Sequence, residues 1–532
     1  VPRRLFARRP FALASLLLVG RASFSGAQNV LPPDLDAYAA RALKEFGVPG
    51  MAIAVVKDGK VVVARGYGVR ELGKAPPVDA RTLFGIASNT KAFTSALLAM
   101  LVDEKEIAWD DPVLKYLPEF RMADPWVTRE ITIRDLLAHR SGLGPGAGDL
   151  MGFPPTTFSR EDIVRRIRYL SPVASFRSRF SYNNSLYLVA GEVVHAVTGR
   201  TWDESVTERI FAPLGMARSN TSTKALRSED DVATPHARIG GTVETIGYFN
   251  LDNVAAAGGI NSCVEDMAKW MIALLDGGVI DAGEAGERRL FSDRQSREMW
   301  SPQTIVPIDD LPRPLAALRP DFQACGLGWL LKDYRGHKIV WHAGGLSGMV
   351  SRVTLVPDRK IGIVVLTNQG DPGALQAMSF HVLDGYLGSP VTDWVEAFRE
   401  TEDSEREATA AAEKEQRRKP AAHSKPSLPL ARYAGTYRDA WYGDVSIRQE
   451  KDALQLRFGR TPLLAGDLEH WQDDTFVARW HDRRLNADAF VTFSLGPDGT
   501  IRGMTMRAVS PSADERLDFQ DLAFVPVIEK NP

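Results

Sequence analysis

Cysteine is scarce in this chain: Cys263 and Cys325 are the only two in 532 residues. Two thiols cannot build a disulfide framework, and neither lies in a Cys-x-x-Cys pair. One bridge between them is left open by the sequence. The nine histidines are scattered, with no His-x-x-x-His spacing and no Cys/His cluster. That disfavours a structural or catalytic metal. Neither sign of charge dominates, since 65 Lys and Arg face 67 Asp and Glu. Without a basic run interleaved with aromatics, nucleic acid is not an expected partner. Beyond the N-terminal segment no apolar run is long enough to span a bilayer.

What is present reads as a globular protein of several domains, with 44% hydrophobic and 25% charged residues. The first segment, 1–27, has the form of an export signal. Arg3, Arg4, Arg8 and Arg9 make a positive stretch, Phe11 to Gly20 an apolar one, and Ser25-Gly26-Ala27 a small-residue cleavage site. Arg8-Arg9-Pro10-Phe11 resembles a twin-arginine signal. The expected location is therefore periplasmic or secreted.

Asp34 to Phe46 reads as an amphipathic helix, and Met51–Val56, Asp58-Gly59 and Lys60–Gly66 as a β-hairpin. Helix-rich sequence follows from Ser88 to about Leu275. Strand signals return at Leu327–Leu331, Lys338–His342, Ser351–Val356 and Ile361–Thr367. Strands at both ends with helices between predict an α+β fold: one antiparallel sheet, flanked by helices and closed by both ends of the domain, over 28–397. Ser141 to Pro155 is a long Gly- and Pro-rich loop, suited to the rim of a site. A charged, then Pro-containing linker spans 398–429. Short alternating segments over 430–532, with Gly496-Pro497-Asp498-Gly499 as a turn, predict a small antiparallel β-barrel or sandwich.

The chemistry starts at Ser88-Asn89-Thr90-Lys91, the single Ser-x-x-K of the chain, at the mouth of an apolar helix. A serine and a lysine three apart share one helix face. A lysine in an apolar wall is poorly solvated as a cation, so it can take a proton. The free N–H groups of a helix N-terminus favour negative charge developing at the serine. The pair makes an activated nucleophile. Its partners would be a second proton-handling group and an oxyanion hole. Tyr182 and Asn184, in Ser181-Tyr182-Asn183-Asn184, offer a phenol to relay a proton and an amide to orient Lys91. His342, Gly344 and Gly345, in Trp341-His342-Ala343-Gly344-Gly345, offer a hydrogen-bond donor and a strand that substrate can approach closely.

Ser-x-x-K, Tyr-x-Asn and His-x-Gly, in this order and at these wide spacings, resemble the serine β-lactamase and penicillin-binding-protein superfamily, on its class C, esterase and D-aminopeptidase side. Asp135–Leu143, Ala256–Ile260 and Cys325–Trp329 agree, the last with Cys325 where that family usually carries Tyr. The resemblance implies a β-lactamase/transpeptidase-like fold and an acyl-enzyme mechanism without cofactor or metal. Ser88 would attack, Lys91 and Tyr182 would share the proton, Asn184 would position, and the Ser88 and Gly345 N–H groups would hold the oxyanion. Members that recognise penicillin carry Lys where His342 stands, which weakens the case for a dedicated β-lactamase. The stretch from Tyr433 looks like the lipocalin-like domain of some peptidase members.

Three functions stay open. The first is an exported peptidase or amidase acting on small or linear peptides; the chain's appearance also resembles the branch that degrades linearised microcystin. The second is an esterase or weak β-lactamase. The third is a penicillin-binding or sensor module that acylates without turnover. The expected partner is a small peptide or ester, with no integral membrane segment once the signal is removed, and a homo-oligomer left open.

Overall fold

The computed structural model describes residues 31–227, 230–281, 287–390, 392–416, 424–511, 513–514 and 516–528. The expected export segment, 1–27, lies outside the described residues. So does 417–423, within the expected linker.

The first helix, α1 (Leu35–Phe46), turns its apolar face inward and stops at Gly47, whose φ of 67° is the left-handed conformation that closes helices. The hairpin follows as β1 (Gly50–Lys57) and β2 (Lys60–Gly68). Its turn residues Asp58 and Gly59 both take positive φ, at 49° and 73°, as a two-residue hairpin requires. The remaining strands of this sheet are β3 (Thr304–Ile305), β4 (Gln323–Cys325), β5 (Leu330–Tyr334), β6 (His337–Leu346), β7 (Met349–Val356) and β8 (Ile361–Thr367). They form one antiparallel sheet of eight in the order β2-β1-β8-β7-β6-β5-β4-β3. The N-terminal β1, one strand in from the β2 edge, pairs with β8, Met51 opposite Thr367 and Lys57 opposite Ile361. Both β1 and β8 are covered on both faces, which is why their sequences run apolar without alternation.

The helices α2 (Thr90–Asp103), α3 (Ser185–Thr198) and α4 (Val264–Leu275) belong to the layer on one face of the sheet. On the other lie α1, α5 (Gly373–Leu387) and the start of α6 (Trp394–Gln416). Trp394, Val395 and Phe398 are buried there, so the charged helix that opens the linker is anchored in the core. The sequence placed its strand at Leu327–Leu331 three residues early: Gly328 takes φ 79°, making a turn, and β5 begins at Leu330.

The C-terminal part is a closed barrel of eight antiparallel strands: β9 (Gly435–Asp439), β10 (Gly443–Glu450), β11 (Ala453–Phe458), β12 (Ala465–Gln472), β13 (Thr475–Trp480), β14 (Ala489–Leu495), β15 (Ile501–Ala508) and β16 (Ala523–Pro526). Closure of β16 onto β9 removes the free edges. Phe458, Phe476, Trp480 and Phe493 are among the aromatics that fill the barrel core. The barrel docks on the helical layer. Arg166 donates to the Trp441 carbonyl at 2.9 Å, Thr157 N–H to the Arg460 carbonyl at 2.8 Å, and Arg460 pairs with Asp162. One apolar core runs through both parts.

Candidate active site

Ser88 sits in a single 3-10 turn, Ala87–Asn89, that feeds directly into α2. The turn is held tightly. Ala87 takes φ 49°, a conformation that costs a residue with a Cβ about 1–2 kcal/mol. The Ser351 hydroxyl donates to the Ile86 carbonyl and accepts from Asn89 Nδ2, both at 2.7 Å. Ile86 N–H donates to the Ile260 carbonyl at 2.9 Å. The Ser88 hydroxyl caps no helix; it accepts from Lys91 Nζ at 3.1 Å.

Almost all of α2 is buried, so Lys91 points into the protein rather than to water. Its ammonium also donates to Asn184 Oδ1 at 2.7 Å and to the Ala257 carbonyl at 2.9 Å. Burial pushes its pKa down to about 7, against the pull of the Asp149 charge. Asn184 faces two ways, its Nδ2 donating to Asp149 Oδ2 at 2.7 Å. The capping role at α3 falls to its neighbour: Asn183 Oδ1 accepts from Leu186 N–H at 3.1 Å.

Tyr182 lines the cleft beside Ser88, with Lys91 Nζ 5.0 Å from the centre of its ring. The ring is stacked on His139 at 4.3 Å and lies 6.2 Å from His342. His139 is buried, accepts from Asn183 N–H at 3.1 Å through Nδ1, and is held neutral by burial. His342 is neutral for the same reason: burial, reinforced by Lys91, pushes it down to about 3. Its Nδ1 is 2.6 Å from the Ala343 carbonyl and so carries the proton, leaving Nε2 an acceptor. No fixed positive charge therefore stands in the third motif.

Pairing of β6 with β5 ends at Trp341 opposite Leu330, whereas its pairing with β7 continues to Leu346. Among the described residues His342–Leu346 is thus paired on one side only. The two glycines there differ. A Cβ on Gly344 would come 2.3 Å from the Ile86 carbonyl and 2.9 Å from Ala87 Cβ, so this glycine lets the strand pack on the Ser88 turn rather than opening space in the cleft. A Cβ on Gly345 would meet nothing within 4 Å, and Gly345 is the one that faces the cleft.

The cleft, about 560 Å3, has walls from both parts of the molecule: Ser88, Asp149, Tyr182, Asn184 and Gly345 from the first, Arg484, Asp514 and Arg516 from the barrel. A smaller recess of about 60 Å3 opens beside Ser88 between Gly152, Phe153, Leu251, Val254 and Leu346. Arg516 donates to the Gly345 carbonyl at 3.2 Å, lies 3.8 Å over the Phe153 ring, and is paired with Asp514.

Of the seven residues singled out from the sequence, Ser88, Tyr182, Asn184 and Gly345 line the cleft, Lys91 reaches Ser88 and Asn184 from behind it, His342 is buried beside Tyr182, and Gly344 has the packing role just described. The sequence missed Asp149, which sits in the flagged loop Ser141–Pro155 but carries no motif. That loop is mostly buried, and burial raises Asp149 to about 7. Also missed were Arg516 and Asp518, which reach the site only because the barrel docks. Cys263 and Cys325 are buried free thiols. No group of metal-binding side chains occurs among the described residues, and no helix there is long and apolar enough to cross a membrane.

Comparison with known proteins bears on the family and the fold. The family described as Beta-lactamase matches residues 35–385, and a Domain of unknown function (DUF3471) matches 419–526. The chain is 29% identical over 492 residues to the Unguisins hydrolase ungD' of Aspergillus campestris (strain IBT 28561), covering 88% of each. It is 26% identical over 334 residues to Protein flp of Staphylococcus aureus (strain COL), covering 63% of this chain and 62% of that one. The octameric penicillin-binding protein homologue from Pyrococcus abyssi shares the fold, with a TM-score of 0.58 at 21% identity over 92% of this chain and 99% of that one.

Proposed function

The chain belongs to the Beta-lactamase family, and from that premise we propose that it is an exported serine hydrolase that cleaves amide bonds of small or linear peptides through an acyl-enzyme. The observation that carries the proposal is the buried Lys91 ammonium, hydrogen-bonded at once to Ser88 Oγ and Asn184 Oδ1 and held near neutral pH. Neutral Lys91, with Tyr182 beside it, takes the Ser88 proton as Oγ attacks the substrate carbonyl. The N–H groups of Ser88 and Gly345 receive the oxyanion, a contribution of about 3 kcal/mol for each donor. The proton is then returned to the leaving amine, and water releases the acyl group by the same route in reverse.

The neutral His342 favours peptides and esters over substrates that need a fixed cation in the third motif. The unguisins hydrolase relative, matched along most of both chains, supports a hydrolase rather than a silent binding module. Linearised microcystin belongs among the substrates to try. The aromatic-filled eight-stranded barrel supports the lipocalin-like reading of the C-terminal part.

Mass spectrometry of linear peptides and chromogenic esters, incubated with the mature protein and with Ser88→Ala, tests the proposal. Peptide fragments produced by the wild type alone would support it. Ester products alone would make the protein an esterase. A lasting mass gain without turnover would make it an acyl-trapping protein. Cell fractionation tests export.

A further inference from the structure

Asp518 lies in the barrel, one residue ahead of the short turn Phe519–Asp521, and is fully buried. Its Oδ2 accepts from Gly148 N–H at 2.7 Å and its Oδ1 from Leu150 N–H at 3.2 Å. These two residues flank Asp149. From there the contacts run without a break to the nucleophile. Asn184 donates to Asp149 at 2.7 Å, Lys91 to Asn184 at 2.7 Å, and Lys91 to Ser88 at 3.1 Å. A buried carboxyl is costly unless its oxygens are used. Here both are spent on the main chain of the one loop that carries Asp149.

We infer that Asp518 is a positioning residue for the proton-handling lysine: it pins the main chain on both sides of Asp149, so that Asp149 holds Asn184 and Asn184 holds Lys91 dry and aimed at Ser88. The inference rests on the serine–lysine reading above. The charges around the path agree with it. Asp518 faces Asp149 and Asp521, and burial together with the Asp149 charge raises it well above the usual carboxyl range. Asp149 faces Lys91, Arg516 and Asp514 as well as Asp518. The Lys91 and Arg516 cations and the Asn184 amide favour negative charge on Asp149. Lys91 faces Asp149 and Arg516, the rings of Tyr182 and Tyr187, and the neutral His139 and His342.

The test is labelling of Ser88 by a fluorophosphonate, followed by intact mass over a range of pH in the full chain. The Oγ–P bond forms, fluoride leaves, and Lys91 takes the serine proton, so the rate reads the neutral amine. Wild type should label with a midpoint near 7 and Ser88→Ala not at all. Asp518→Ala should loosen the loop and admit water to Lys91. Its ammonium, better solvated, should then hold its proton longer. The midpoint should move up by about one pH unit, with labelling at pH 7 about tenfold slower. Asp518→Asn keeps one acceptor and should shift less in the same direction, and it serves where the alanine variant does not fold. Arg460→Ala cuts a separate contact between barrel and helical layer; it should lower the melting temperature and leave the midpoint in place.

An unchanged midpoint in both Asp518 variants would overturn the inference. An equal shift in Arg460→Ala would overturn it too, since any loosening of the docked barrel would then suffice. Wild type that fails to label would overturn the serine–lysine reading itself.

Discussion

At the scale of single residues the site is a problem of where two protons reside. Lys91 and Asp149 are both buried, and burial moves them toward each other, one down and one up, to about 7. The amine works as a base only when neutral. The kcat/KM profile is therefore expected to rise with pH through about 7 and level off above it, where an ordinary lysine would need a pH above 10. The midpoint belongs to the interacting pair rather than to either group. Asp149→Asn tests its sign. The Asp149 charge favours the Lys91 cation, so its removal should let Lys91 lose its proton sooner and move the rise to lower pH. A midpoint that stays or climbs would show that Asp149 carries no charge as Lys91 titrates. Tyr182→Phe is expected to cut kcat by about 10²–10⁴ if the phenol moves a proton, as a steady-state assay would read. None of this charge balance is legible in the sequence. Ser88, Lys91, Tyr182 and Asn184 carry motifs and can be named in advance. Asp149 carries none, and its importance comes from a burial that only the folded loop creates.

At the scale of elements, the site is the junction of a helix start with a strand edge, and Gly344 sets how closely they meet. Gly344→Ala must push β6 off the Ser88 turn, since the added Cβ would fall 2.3 Å from a main-chain oxygen. The expected cost is about 1–3 kcal/mol in a denaturant titration, together with a fall in kcat. Gly345→Ala has free space around it and should leave stability unchanged while raising KM, as the methyl enters the cleft. The contrast separates two glycines that look equivalent in the sequence. Local signals served well where one residue type dictates the backbone, as at Asp58-Gly59 in the hairpin. In the barrel they mark strand-like segments over 430–532 but not how the barrel closes. The pairing of β9 with β16 joins the two ends of the barrel, as Arg438 opposite Val525 illustrates, and no short stretch of sequence announces such a partner.

At the scale of the whole molecule, the barrel and the hydrolase fold share one apolar core and a common cleft. They are expected to unfold together. Scanning calorimetry should give a single transition whose calorimetric and van't Hoff enthalpies agree, despite a length at which separate transitions are usual. Two resolved transitions would mean that the barrel holds its place only loosely. The overall α+β plan and the C-terminal β-domain were readable from the alternation of apolar segments. The docking that brings Arg516 to Gly345 was not, because it depends on the shapes of two finished surfaces.

The pairing of β1 with β8 and the burial of Asp518 beneath the loop of Asp149 also set an order in time. In synthesis Ser88 precedes by far the strand that pairs with β1, and Asp518 comes later than both. On the proposed reading, a chain stopped before Asp518 thus carries Ser88 without the contacts that pin the Asp149 loop.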